Sequence, residues 1–250
     1  MVFDNVLVKE YEIKYYEQNL NYQLKESSLL KLLQDIATIS AESLGFGPSY
    51  IFPKNYAWVV LKYHIELYKD LKNLNKLVIK TESRGTTKLY AFRDFELYSS
   101  QNELLGKVIS AWALIDINTR KILPMQKTLG FIKNFEPRLD DLEYGKIESL
   151  SEANYQKEFD VCFDDIDVNK HVNNSNYITW ALEVLPVDFR LSYLPKVIDI
   201  KYKKEISFEA KVSSGAQKIT ANNDVYTLHS ITDKLNGEEL VSLKIQWCKV

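Results

Sequence analysis

The chain runs through one order of elements twice, and this repetition limits its architecture more than any single residue does. The first copy opens with Val6-Leu7-Val8-Lys9-Glu10-Tyr11-Glu12-Ile13, which reads as a strand. Ser27 and Ser28 offer an N-cap. Leu29, Leu32, Leu33, Ile36, Ala37 and Ser40 then recur with a helical period, and Gly45 and Gly47 stop it. Strand signals follow. Val59, Leu61, Tyr63, Ile65 and Leu67 alternate with Lys62, His64 and Glu66, and Leu77, Ile79 and Thr81 alternate with Lys76, Lys80 and Glu82. Residues 84–88 read as a turn or bulge, and 90–98 and 104–117 complete the set. The last of these is apolar on both faces around Trp112, as a central strand is. From about 125 to 155 no period is sustained, and Pro137 with the charged run 138–143 suits a surface connector. Then the order returns. Residues 158–163 are strand-like, a polar loop follows, and Tyr177, Trp180, Ala181 and Val184 mark one helical face that Pro186 ends. Ile198, Ile200 and Tyr202 alternate with charged residues. Further strands fit 208–212, 225–232 and 240–249, with Asn222-Asn223-Asp224 and Leu235-Asn236-Gly237 as hairpin turns.

A long helix wrapped by an antiparallel sheet is the hot-dog arrangement. The expected class is therefore α+β, a tandem (double) hot-dog: residues 1–130, a connector at 131–154, and 155–250. With 46% hydrophobic and 26% charged residues the 250-residue chain has the composition of a globular protein, and 8 Gly and 6 Pro leave little for flexible linkers. A net charge of −2 gives no basic excess for nucleic acid. Two cysteines make no disulfide framework, and Cys162, in the apolar run 159–163, reads as a buried thiol. Three histidines without a Cys/His cluster give no metal spacing, so neither metal nor cofactor is expected. Residues 1–20 are charged throughout, and no window nears the ~18 consecutive apolar residues of a membrane span. These features read as a cytoplasmic protein away from the membrane.

The copies differ in the loop before the helix. Laying Asn19-Leu20-Asn21-Tyr22-Gln23 on Asp167-Val168-Asn169-Lys170-His171 keeps the middle Asn, but sets Asn against Asp and Gln against His. The second loop runs on through Val172, Asn173 and Asn174 into the helix. Polar groups this dense are costly to bury unless they bond one another or a ligand. A helix N-terminus also presents backbone N–H groups to a developing negative charge. His171 is the natural general base, since imidazole titrates near neutral pH. Asp167 either orients His171 or closes an Asx turn. Asn169 either holds a water or carbonyl, or shapes the turn. Asn173 and Asn174 cap the helix and stand where an oxyanion would need donors. His64 and His229, on alternating strands, read as structural.

From Asp167 to Trp180 the chain matches D-x-N-x-H-V-N-N-x-x-Y-x-x-W in full, and there it resembles the acyl–acyl carrier protein (acyl-ACP) thioesterase family. Weaker matches fall in the family's order: Trp58-Val59-Val60 leading to His64-Ile65-Glu66-Leu67-Tyr68, Arg93-Asp94-Phe95 through Trp112 to Asn118-Thr119-Arg120-Lys121, and Tyr202-Lys203-Lys204-Glu205. The resemblance covers about residues 5–250. It implies hydrolysis of a fatty acyl thioester carried by acyl carrier protein. It brings Glu205 into the site, although a period of two places Glu205 beside Lys201 and Lys203 on the outside. A bulge or strand end would have to re-aim it. Many plant members carry Cys where this chain has Ile206, so a thiol nucleophile there is excluded. Their plastid-targeting segment has no counterpart here, which suits a bacterial-type member. By the same resemblance the acyl chain lies in the first half, lined by Leu32, Leu33, Ile36, Trp58 and Phe92. The acidic carrier would meet cations among Lys88, Arg93, Lys107, Arg120, Lys121, Lys201, Lys203 and Lys204. An acyl-coenzyme A thioesterase and a non-catalytic acyl-binding module remain open at this point, as does a homodimer.

Overall fold

The computed structural model describes residues 5–222 and 224–250 and divides into two compact units. The first takes residues up to 16 and 31–144, and the second takes 17–30 and 145–250. The expected connector is thus shared: its part up to Tyr144 belongs with the first unit and its part from Gly145 with the second. The hairpin expected at Asn222-Asn223-Asp224 includes residue 223, which lies outside the described residues.

In the first unit, β1 (Val6–Glu12), β2 (Tyr56–Leu67), β3 (Lys76–Thr86), β4 (Ala91–Tyr98) and β5 (Leu104–Asp116) pair antiparallel in the order β1-β3-β4-β5-β2. Trp112 therefore stands on an inner strand. Helix α1 (Glu26–Ser43), which belongs to this unit from Lys31, turns Leu33, Ile36, Ala37, Ser40 and Ala41 inward. Each large apolar side chain buried this way contributes about 1.5–3 kcal/mol. The helix begins one residue before Ser27, because the Lys25 carbonyl already accepts the Leu29 N–H at 3.0 Å. Neither serine is therefore the cap. It ends in a Schellman motif: Gly45 takes φ +82°, its N–H reaches the Glu42 carbonyl, and the Phe46 N–H reaches that of Ala41. Two short helices, α2 (Pro48–Ile51) and α3 (Met125–Thr128), close this end over a core of Ala41, Phe46, Ile51, Leu114, Met125 and Leu129.

In the second unit, β6 (Tyr155–Asp160), β7 (Tyr193–Tyr202), β8 (Lys211–Ala221), β9 (Asp224–Asp233) and β10 (Glu239–Lys249) pair in the order β7-β10-β9-β8-β6. Helix α4 (Asn174–Leu182) buries Tyr177, Ile178, Trp180, Ala181 and Leu182, and α5 (Val187–Ser192) follows Pro186. β8 starts at Lys211, where its pairing with Asp160 begins, so 208–210 are loop rather than the expected strand. Phe208 is accordingly 49% exposed.

Candidate active site

The site is built where β6 gives way to a helix. After Asp160 the chain makes a 3-10 turn at Phe163–Asp165, then a loop closed by an antiparallel bridge between Ile166 and Val172. Inside it the Asp167 N–H donates to the His171 carbonyl at 2.8 Å, and the Lys170 N–H to the Asp167 carbonyl at 2.9 Å. Lys170 takes φ +65° at the apex. The Asp167 carboxylate accepts the Asn169 N–H at 2.8 Å, an Asx turn, and lies 3.5 Å from the Asn169 side-chain amide. The loop thus holds Asp167 and Asn169 against each other. Asn173 caps α4, its side-chain oxygen accepting the Ser175 N–H at 2.9 Å and hydroxyl at 2.7 Å. Asn174 is the first helical residue, and its carbonyl accepts the Tyr202 hydroxyl at 3.1 Å.

Glu205 arrives from the other side. β7 ends at Tyr202, and the Lys203 and Lys204 N–H groups both turn to the Leu240 carbonyl, so the strand's alternation stops before Glu205. The Ile206 carbonyl then accepts the Val172 N–H at 3.0 Å, which ties this segment to the histidine loop. Glu205 Oε2 comes to 3.8 Å from His171 Nε2, with the side chains 38% and 28% exposed. That is ion-pair reach rather than a hydrogen bond. The structure therefore holds Asp167 against Asn169 within the loop before α4, and brings Glu205 to His171 of that loop from the segment after β7.

Several supporting residues were not legible in the sequence. Asn176 reaches back to the carbonyl and carboxylate of Asp165 at 3.1 Å each, pinning the 3-10 turn to the helix. Phe163 and Phe208 meet edge-to-face with centroids 6.4 Å apart, joining that turn to the Glu205 segment. Tyr177 is buried beside the Ile206 backbone. Burial first, and the Asp167 charge after it, push its phenol well above the usual range and keep it protonated. Cys162 is exposed rather than buried, because β6 has already ended and the residue opens the turn.

The other histidines lack this setting. His229 is fully buried, bonds Thr227 Oγ1 at 2.8 Å, and is driven down to about 3, chiefly by burial, so it stays neutral. His64 is 6% exposed and sits 3.3 Å from Glu66, with the Tyr68 hydroxyl on the same carboxylate. That pair lies along one strand, with no amide-rich loop or helix start. Among the described residues no group of three or more His, Cys, Asp or Glu is placed to hold a metal ion.

The first loop reproduces the second bond for bond. Asn19 Oδ1 accepts the Asn21 N–H, the Asn19 N–H donates to the Gln23 carbonyl, and Tyr22 takes φ +60° where Lys170 takes +65°. Gln23 thus stands in the place of His171. The N–H groups of Tyr68 and Lys69 turn to the Leu105 carbonyl as those of Lys203 and Lys204 turn to Leu240. Asp70 is therefore the counterpart of Glu205.

The five residues expected to line an acyl slot are dispersed. Leu33 and Ile36 lie on the inward face of α1, and Leu32 is half-buried. Trp58 sits at the helix's C-terminal end, its indole N–H on the Phe46 carbonyl at 3.0 Å. Phe92 faces away from α1 and packs on Phe135, because its neighbour Arg93 takes the helix side. Arg93 is 5% exposed, bonds Ser40 and Thr81 hydroxyls, and is pulled down to about 10 by burial. A cavity of about 110 Å³ lies on the other face of this sheet. It is lined by Lys80, Glu82, Arg84, Asp94, Glu96 and Asp141 among others, a charged lining unsuited to an acyl chain.

With this geometry in view, comparison with known proteins is decisive. Residues 4–130 match the acyl-ACP thioesterase N-terminal domain, and 148–249 match the C-terminal domain. The chain belongs to the acyl-ACP thioesterase family. It is 24% identical to oleoyl-acyl carrier protein thioesterase 2 of Arabidopsis thaliana over 96% of this chain and 76% of that protein. It is 23% identical to a palmitoyl-acyl carrier protein thioesterase of the same plant, over 97% and 64%. The acyl-ACP thioesterase of Bacteroides thetaiotaomicron superposes with a TM-score of 0.83 at 22% identity, covering 98% of both chains. The 12:0-ACP thioesterase of Umbellularia californica gives 0.85 at 19%, covering 98% of this chain and 94% of that one. These likenesses establish the double hot-dog fold. The two plant relatives are named for different acyl groups at nearly equal identity to this chain.

Proposed function

We propose that the protein hydrolyses the thioester of fatty acyl-ACP, with His171 as general base and water as nucleophile. The approach of Glu205 to the His171 imidazole at 3.8 Å, in the loop that opens α4, is the observation that carries this reading. His171 takes a proton from water as the water attacks the thioester carbonyl. The carbonyl oxygen gains negative charge, which the dipole end at the start of α4 favours, although the Ser175 and Asn176 N–H groups there are already taken by Asn173. The tetrahedral intermediate collapses, the carbon–sulfur bond breaks, and the carrier thiolate leaves, to be protonated from the imidazolium. Glu205 stabilises that imidazolium. Asn169, held by Asp167, presents its amide to the water or the carbonyl. The acyl chain packs along the inward face of α1 at Leu33 and Ile36. No helix among the described residues is long and apolar enough to cross a membrane.

The test is thiol release from one acyl group presented on acyl carrier protein and on coenzyme A. A kcat/KM higher on the carrier protein is expected. Preference for the coenzyme A ester would move the substrate assignment, and binding without thiol release would leave an acyl-binding protein.

A further inference from the structure

The chain carries a net charge of −2, yet one end of the first unit is basic. Lys54, Lys88, Arg120, Lys121, Lys127 and Lys133 are all exposed there, against the carboxylates of Glu42, Asp116 and Glu136, with Lys133 also 3.9 Å from Glu82. They share one end because the segments that carry them meet there. The Met125 N–H of α3 donates to the Lys88 carbonyl, the Ile117 N–H to the Asn55 carbonyl, and the Thr86 N–H to the Lys133 carbonyl. All of these segments close over the core around Phe46, Ile51 and Met125.

Two of the carboxylates are turned to backbone. Asp116 accepts the Asn118 and Thr119 N–H groups at 3.0 and 2.7 Å, and Glu42 accepts the Ser49 N–H at 3.1 Å. Among the described residues Lys88, Lys121 and Lys127 have no carboxylate within ion-pair distance. Between the cations stand large apolar side chains that a monomer gains nothing by exposing: Phe52 at 48%, Phe131 at 58%, Ile122 at 41% and Tyr90 at 39%. Of these, Phe131 is held in place. Phe131 meets Tyr50 edge-to-face at 5.8 Å, and the Lys54 ammonium lies 3.1 Å over the Tyr50 ring.

Of the other cations expected at a docking surface, Lys201 is exposed on β7 in the second unit, and the rest are engaged elsewhere. Arg93 is buried, Lys203 and Lys204 pair with Glu239 and Glu238, and Lys107 lines the charged cavity.

From this placement we infer that the basic, aromatic end formed by α2, α3 and the β3–β4 and β5–α3 turns is the docking surface for acyl carrier protein. Exposed cations around a few fixed aromatic and aliphatic side chains complement a partner that is strongly acidic with apolar side chains between its carboxylates. This rests on the reaction proposed above. It adds the surface by which the carrier, as distinct from the acyl group, is recognised.

The test is the triple variant Lys88→Glu/Lys121→Glu/Lys127→Glu, measured on acyl-ACP and on the same acyl group on pantetheine, which lacks the carrier. Three reversed charges at a rim are expected to raise KM for acyl-ACP by about tenfold or more and flatten its salt dependence. Turnover of acyl-pantetheine should change less than about twofold. An unchanged KM for acyl-ACP, or equal losses on both substrates, overturns the assignment. Wild-type protein that cleaves neither thioester overturns the reaction itself, and the docking surface with it. Sedimentation with phosphatidylglycerol vesicles that the triple variant loses, at unchanged KM, would give this face to a lipid surface instead.

Discussion

Replacing Glu205 by Gln separates a base from a stabiliser, because the structure sets different magnitudes for the two roles. At 3.8 Å from His171, a carboxylate–imidazolium attraction reaches about 4 kcal/mol at an effective dielectric constant of ~20. The two side chains are 38% and 28% exposed, so solvent screening cuts this towards the ~1 kcal/mol of exposed pairs. About 1.4 kcal/mol is tenfold in rate, so a stabilising Glu205 costs no more than about tenfold in kcat when neutralised. Loss of the general base costs ~10²–10⁴-fold. The expectation is therefore ordered: Glu205→Gln falls by about tenfold or less, and His171→Ala by at least a hundredfold. The double variant should resemble His171→Ala, since Glu205 acts through the imidazole. Thiol release in a single turnover of acyl-ACP measures the chemical step, and unchanged melting temperatures show that the loop still folds. A Glu205→Gln variant as damaged as His171→Ala, or more so, would refute the assignment and make the carboxylate the base.

Further consequences can be checked independently. Cys162→Ala and Cys248→Ala, both at exposed thiols, should leave kcat within about twofold, and a dead cysteine variant would reopen thiol catalysis. Arg84 is 3% exposed and bonds Asp94 and Asp141; Arg84→Met leaves Asp94 without its cation and Asp141 with only the Arg138 N–H, and because both carboxylates are partly exposed it should cost about 1–3 kcal/mol in denaturant unfolding. His229 titrates near 3 when folded, below its ordinary value, so the unfolded chain binds its proton first as pH falls. Stability present above pH ~6.5 should therefore be lost progressively towards about 3. His229→Asn should flatten that acid slope of the melting temperature, and an unchanged slope would place the acid sensitivity elsewhere.

The order of elements was legible because periods of two and 3.6 are read over many residues at once. What failed was whatever depends on a partner strand. Val59, Leu61, Tyr63, Ile65 and Leu67 alternate without a flaw, yet Val60 opposes Trp112 and Lys62 opposes Ala111, so Leu61 is bulged and Val60 is the buried residue. Phe92 is as apolar as a slot residue should be, but Arg93 beside it takes the helix side, which no hydrophobic pattern announces. Glu205 was unreadable from alternation because the strand carrying that alternation stops at Tyr202. The same holds for Asp70. Tyr68-Lys69-Asp70-Leu71 and Lys203-Lys204-Glu205-Ile206 share little, and only the paired bonds to Leu105 and Leu240 put them in register. That register bears on the chemistry. The first copy keeps the loop's backbone, its Asn at the middle position and a carboxylate at the strand end, and it holds Gln23 where the second copy has its imidazole. The two loops therefore differ at two polar positions, Asn19 for Asp167 and Gln23 for His171, and the first lacks both the loop carboxylate and the proton acceptor, the pattern expected if the second alone takes a proton at His171.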